Sequence, residues 1–338
     1  MGFHEREDVP FASGVNSDCG RARRILTPVV ILQIAPCQDL SHIAGMGHAT
    51  FEVGDLKAVI GDNAAADGHR PGYNGLWSLQ HRTGKRSLFV PGIAGLNLEH
   101  YFNGDNMPDR KVYFEPRTAP MRFQKISETE AELHQPPTPT FFMESWTDFK
   151  LVAPDYIDMT FTCVPTQHVF HRGWIGIFWA SYINAPLDKS IYFRGGWPQR
   201  HGLWTQFCTQ EHNDESTVRH IDDQQELEFE EGQETLFKAF SRFRFNDPFY
   251  YGHFEKHTWA IMFDRPKEVR FAHSPSGGGA NRTLETTNPA WDFQWIIPNY
   301  EVSKEYTLRI RAFFRERCSR KEVEAEYRKW AGDRLDGK

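Results

Sequence analysis

The chain has 338 residues, a formal net charge of −6, 39% hydrophobic and 25% charged residues, enough for one large β domain or two ordinary ones. The acidic balance and the absence of a long Lys/Arg run exclude a nucleic-acid footprint, and no apolar run approaches the roughly 18 residues of a membrane span. Five scattered cysteines, odd in number and without a C-x-x-C pair, argue against a disulfide framework and favour a reducing, cytoplasmic setting over a periplasmic or secreted one.

Arg21, Arg23 and Arg24 precede ILTPVVILQIAP, which has the length of a signal-peptide core. Pro28 within it, Pro36 just before Cys37 and the polar residues in front weigh against a cleavable signal. Residues 1–45 are therefore expected to be an N-terminal arm, poorly ordered or contributing one strand. β signals begin in ATFEVGDLKAVIGD, broken at Gly54 and Gly61, and continue in the strand Leu76–His81. Ser87–Asp105 is too rich in glycine for a helix. EAELH, DMTFTC, ELEFE and YTLRIRAFF alternate with period two, and Ile175–Ile183 is the near-continuous apolar run of a buried strand. TLFKAFSRFRF and TWAIMF are further candidates. Glu268–Ile297 runs from a short apolar piece through Ser-Pro-Ser-Gly-Gly-Gly into a strand in which Trp291, Phe293, Trp295 and Ile297 alternate with Asp292, Gln294 and Ile296. At the C-terminus, Ser319 with Glu322 forms a capping-box signal ahead of Val323, Tyr327 and Trp330 at helical spacing. The expectation is an all-β, mainly antiparallel sandwich over 46–317 with an amphipathic helix over 318–338.

Several residues could carry chemistry. Glu144, in the aromatic strand FFMESWTDF, would become a general acid if it pointed inward, where desolvation raises a carboxyl. Glu99 and His100 are adjacent, and neighbours on a regular strand face opposite ways, so only irregular backbone would bring both to one site. His253 and His257 have H-x-x-x-H spacing, but strand-like flanks would put them roughly 13 Å apart. With no H-E-x-x-H either, neither a metal nor another cofactor is expected. G-x-S-x-G is absent, and the triple glycine matches no phosphate loop.

What remains is 10 Trp and 15 His among Arg, Asn and Asp, the residue types that stack on sugar faces and bind hydroxyl pairs. The sequence points to a carbohydrate-active enzyme acting on a sugar or glycoside as hydrolase, lyase or isomerase, or else to a non-catalytic sugar-binding sandwich. Glu144, His100 and Asp292 are the catalytic candidates. Trp77, Asn97 and Trp179 are candidate substrate contacts, and Arg270, His273, Asn288 and Trp291 are contacts beside a glycine-rich loop expected to form a mobile rim. Nucleic acid and membrane are not expected partners.

Two stretches carry a family resemblance. Phe178-Trp179-Ala180-Ser181-Tyr182-Ile183-Asn184 is similar to the T-N-H-[ST]-Y-F-N strand of aldose epimerases, and Asp67-Gly68-His69-Arg70 resembles their early Arg-bearing turn. The resemblance is to the galactose mutarotase-like β-supersandwich group, and implies a ligand on a concave sheet face with Arg70 among its contacts. Ala180 stands where those epimerases carry a catalytic histidine, so His100, His168 or His171 would have to take its place.

Overall fold

The computed structural model describes residues 47–66, 68–211, 213–231, 237–275 and 288–335. The expected N-terminal arm and most of the glycine-rich rim lie outside the described residues.

The described chain begins with three strands, β1 (His48–Val53), β2 (Leu56–Gly61) and β3 (Gly75–His81), which pair as one small antiparallel sheet. The β1–β2 turn needs Gly54: its φ is +59°, and a Cβ there would stand 2.2 Å from the Pro154 carbonyl oxygen. Then come β4 (Asn97–Phe102), two short helices α1 (Arg110–Tyr113) and α2 (Glu115–Thr118), and a meander β5 (Arg122–Lys125), β6 (Glu130–Gln135), β7 (Met143–Val152) and β8 (Tyr156–Pro165). The chain continues through β9 (Trp174–Ala180), β10 (Ile191–Trp197), β11 (Arg200–Phe207), β12 (Thr217–His220) and β13 (Phe240–Phe245). It closes with β14 (Phe249–Phe254), β15 (His257–Phe263), β16 (Val269–Ser274), β17 (Ala290–Pro298), β18 (Tyr306–Glu316) and helix α3 (Arg320–Leu335).

Strands β4 to β18 form one 15-stranded sheet in the order β4-β9-β17-β16-β12-β13-β10-β14-β15-β18-β8-β7-β6-β5, with β11 paired to β10. All the pairings are antiparallel except β12 with β13. The sheet folds back on itself, because the apolar faces of its two halves must be buried together. The Phe161 ring on β8 meets Trp179 on β9 edge-on at 4.8 Å, and Phe263 on β15 meets Phe293 on β17 at 5.0 Å. The result is the all-β sandwich expected from the alternation. Strand β8 shows it most plainly, with every second residue from Ile157 to Pro165 buried.

Two local expectations are corrected. Glu226–Glu230 alternates but joins no ladder; its Leu227 and Phe229 pack on a second apolar cluster outside the main core. His253 and His257 are not on one strand: they flank a tight turn at Glu255–Lys256, with Phe254 opposite His257 in the β14–β15 hairpin. Helix α3 lays Val323, Tyr327 and Trp330 on the outer face of β14 and β15, against Phe249, Tyr251 and Phe313. The capping box forms as its spacing predicts: the Ser319 amide donates to Glu322 at 2.6 Å, and the Glu322 amide to Ser319 Oγ at 3.3 Å.

Candidate active site

The end of the sheet formed by β4, β9, β17 and β16 has one face in the core and one turned outward. Trp179, Phe293, Trp295 and Phe271 occupy the core face. Phe178, Ala180, Asp292, Gln294 and Ala272 lie on the other, as the two-residue period requires. Over that outer face lies a cavity of about 380 Å³, lined by Glu99, His100, Phe178, Ala180, Tyr182, Ser274 and Asp292 and closed by Tyr73, Tyr113, Phe114 and Arg117.

Glu99 and His100 both reach this cavity because β4 is irregular between them. Leu98 pairs with Trp179 and His100 with the next residue, Phe178, so Glu99 is an extra residue in the ladder. Such a bulge turns two successive side chains toward one side. His100 Nε2 and Glu99 Oε1 are 3.2 Å apart. His100 Nδ1 lies 2.6 Å from the Tyr113 carbonyl oxygen, which can only accept, so Nδ1 carries a proton.

Glu99 Oε2 accepts from Asn97 Nδ2 at 2.8 Å and from the Tyr182 hydroxyl at 2.5 Å, with Arg117 3.6 Å away. Burial pushes the Glu99 carboxyl up, but the hydrogen bond and charge of His100, the charge of Arg117 and the bond from Tyr182 together hold it below its ordinary range. Arg117 itself is held between the Tyr73 ring at 3.9 Å and the Phe114 ring at 4.7 Å. The short helices that carry it are tied down by side chains from elsewhere. Asn63 Nδ2 donates to the Ala119 carbonyl at 2.7 Å, and Gln135 Nε2 to that of Pro116 at 2.9 Å.

Asp292 behaves in the opposite way. Its Oδ1 accepts from the Ser181 amide at 2.9 Å, but burial and then the nearby Glu99 charge outweigh that bond and hold its carboxyl well above the usual range. One cavity therefore contains a carboxyl whose pKa is lowered beside a histidine, and another whose pKa is raised. Divergent pKa values of this kind separate a proton acceptor from a proton donor.

The other residues singled out from the sequence fall elsewhere. Glu144, on β7, bonds His134 at 2.9 Å, with about a quarter of each side chain exposed. It is neither desolvated nor in the cavity. Trp179 and Trp291 are fully buried; Trp179 stacks on Phe293 at 4.9 Å, and Trp291 Nε1 donates to the Lys189 carbonyl, so neither offers a face to a ligand. His273 shares that core face. It is bonded to Thr209 and Lys189, and burial pushes its pKa down to about 4. Trp77 stacks with His48 at 4.6 Å and His69 at 3.8 Å and lies outside this cavity's lining. Arg70 is exposed and outside the cavity lining, where Arg117 supplies the guanidinium instead. Asn97 is a partner of Glu99 rather than an open contact, Asn288 caps the Ala185 amide at 2.9 Å, and Arg270 is fully buried beside Asp223. Of the eleven residues, His100 and Asp292 line the cavity. Glu99, Tyr182 and Arg117 complete it. Tyr182 lies in the stretch that resembles the epimerase strand, but nothing in the sequence marks Arg117.

Among the described residues, no group of three or more His, Cys, Asp or Glu side chains is arranged to hold a metal ion, and no helix is long and apolar enough to cross a membrane. No family model matches the chain, and no curated protein matches it. Solved structures similar to it include a putative aldose 1-epimerase from Escherichia coli K12, at 11% identity and a TM-score of 0.48, covering 81% of this chain and 100% of that one. A galactose mutarotase-like protein from Lactobacillus casei matches at 9% identity and a TM-score of 0.46, over 79% of this chain and 100% of that one. An alpha-N-acetylgalactosaminidase from Bifidobacterium bifidum matches at 10% identity and a TM-score of 0.46, over 85% of this chain and 39% of that one. In fold, the chain is similar to the galactose mutarotase-like β-supersandwich proteins.

Proposed function

We propose that the protein is a carbohydrate-active enzyme working by proton transfer, with Glu99 and His100 as the accepting pair and Asp292 as the donor. The observation that carries this reading is the opposed shift in pKa of two buried carboxyls that line one cavity, Glu99 lowered by its donors and Asp292 raised by burial. A binding protein has no need of such a pair, and burying both is costly unless each is kept in its own state. Tyr182, Tyr73 and Tyr113 supply rings and hydroxyls suited to a pyranose, in place of the tryptophan platform expected from the sequence. A histidine, a tyrosine and an arginine around one carboxylate suit removal of a proton from a sugar carbon or an anomeric hydroxyl. Isomerisation or elimination is therefore favoured over hydrolysis. Ala180 leaves the floor small where the resembling epimerases carry histidine, so His100 takes the imidazole role from the next strand, its register partner being Phe178.

The test is turnover on free aldoses, followed by nuclear magnetic resonance, on uronate-containing polysaccharides, followed by the ultraviolet absorbance of an unsaturated product, and on aryl glycosides. Glu99→Gln and Asp292→Asn should each lower the rate by about 10²–10⁴-fold, the usual worth of a positioned acid or base. Unchanged rates in both variants would remove the pair from the mechanism.

A further inference from the structure

The outward face that carries the cavity also carries three arginines in one row. Register places Arg244 of β13 beside Arg219 of β12, Arg219 beside Arg270 of β16, Arg270 beside Gln294 of β17, Gln294 beside Phe178 of β9, and Phe178 beside His100. Paired residues project to the same side, and neighbouring strands are roughly 5 Å apart, so Arg270 lies about 10 Å from the Phe178 that lines the cavity. Phe237 packs on His100 and Phe178, and Phe240 covers Arg219 at 4.3 Å and Arg270 at 5.2 Å, so one short segment roofs both places.

The charges in this row do not balance. Arg270 is fully buried, and its Nε bonds Asp223 at 3.0 Å. Among the described residues its two terminal nitrogens have no hydrogen-bond partner, and neither has Nε of Arg219. Arg244 uses its Nη1 on the Ser241 and Phe243 carbonyls. Asp223 is the carboxylate that faces Arg270 and Arg244, and Asp222 next to it is largely exposed and beside His220. Among the described residues the guanidinium groups thus outnumber the carboxylates set against them, on side chains that cannot lose a proton, next to unsatisfied donors. A buried guanidinium without an anion is among the costlier arrangements a fold can keep, and planar donors of this kind match the oxygens of a carboxylate, sulfate or phosphate.

We propose that Arg219, Arg244 and Arg270 form an oxyanion subsite for the acidic substituent of a saccharide. Arg219 and Arg244, half-buried and by the same spacing roughly 15 and 20 Å from Phe178, would touch the anion; Arg270, fully buried beside Arg219, adds its field. This inference names the substrate class of the site described above. The anion part depends only on the arginines, while the saccharide part rests on the proposed function.

Binding of glucuronate, galacturonate and glucose 6-phosphate, compared with glucose and galactose and with inorganic sulfate at matched chloride ionic strength, tests it by calorimetry on the full chain. At least one acidic sugar should bind about tenfold or more tightly than its neutral counterpart. Arg219→Gln and Arg244→Gln, at positions open enough to tolerate the change, should abolish that preference while neutral-sugar binding persists. Neutral sugars binding as tightly as acidic ones would overturn the subsite and leave the sugar site standing. A preference that survives in both variants would also overturn it. Sulfate binding without any sugar binding would make the arginines a free-ion site and overturn the saccharide assignment together with the sugar reading.

Discussion

Glu99 and Asp292 have the same chemical group and share one cavity, so their difference comes from what each touches. Three donors and a nearby guanidinium lower the pKa of Glu99, whereas Asp292 has one amide donor and a like charge nearby, and burial raises its pKa. This gives a stability prediction with a definite sign. Because the folded-state pKa of Asp292 is raised, the unfolded chain releases this proton first. Wild-type stability therefore falls as pH rises from the ordinary value of 3.8 up to the folded value of Asp292, by about 1.4 kcal/mol per unit of pH. Asp292→Asn has no such proton, so its melting temperature should gain on the wild type across that window and then stay level, in scans from about pH 4 to pH 8. Glu99→Gln should do the reverse, since a lowered carboxyl adds stability above its ordinary value of 4.5 that is lost as pH falls through its folded value. A flat difference for Asp292→Asn would mean that this carboxyl is ionised in the fold.

Two elements decide how the site is assembled. The bulge in β4 brings Glu99 and His100 to one side, against the alternation the sequence shows. The short helix α2 brings in Arg117, and its C-terminal carbonyls are held by Asn63 and Gln135 from elsewhere in the chain. Helix α3 is different, because its cap and apolar stripe are both local and both legible. Ser319→Ala should cost about 1 kcal/mol, the usual worth of an N-cap. Trp330→Ala should cost about 3–5 kcal/mol, because it empties a packed position against β14 and β15. Urea denaturation would measure both, and activity per folded molecule should not change, since α3 contributes nothing to the cavity lining. Equal, small losses would show that the helix is only loosely docked.

At the scale of the whole molecule, the fold-back of a 15-stranded sheet puts Trp179, Trp259, Trp291 and Trp295 where a sugar cannot reach them. Trp179 lies between Phe161 and Phe293 in the contact between the two halves. Trp179→Phe should therefore lower the unfolding midpoint, by about 1–3 kcal/mol for the lost volume, without altering the Michaelis constant of any sugar found to be turned over. A raised Michaelis constant with unchanged stability would return Trp179 to the list of ligand contacts.

Local pattern was enough for many of the longer strands, the sandwich class, the capped C-terminal helix and the alternation of Asp292 with Trp291 and Phe293. Each of these depends on residues near one another in the chain, whose side chains follow a period of two or 3.6. The sequence also singled out His100 and Asp292. It did not determine which face of β17 is the site, because that depends on what packs against the strand: the aromatic face lies in the core and the polar face lines the cavity. The bulge that aligns Glu99 with His100 is a mismatch between two strands some 80 residues apart in the chain, visible only once β4 and β9 are paired. The opposed pKa shifts of Glu99 and Asp292 depend on burial and on donors from three separate segments. Only the tertiary structure brings those together.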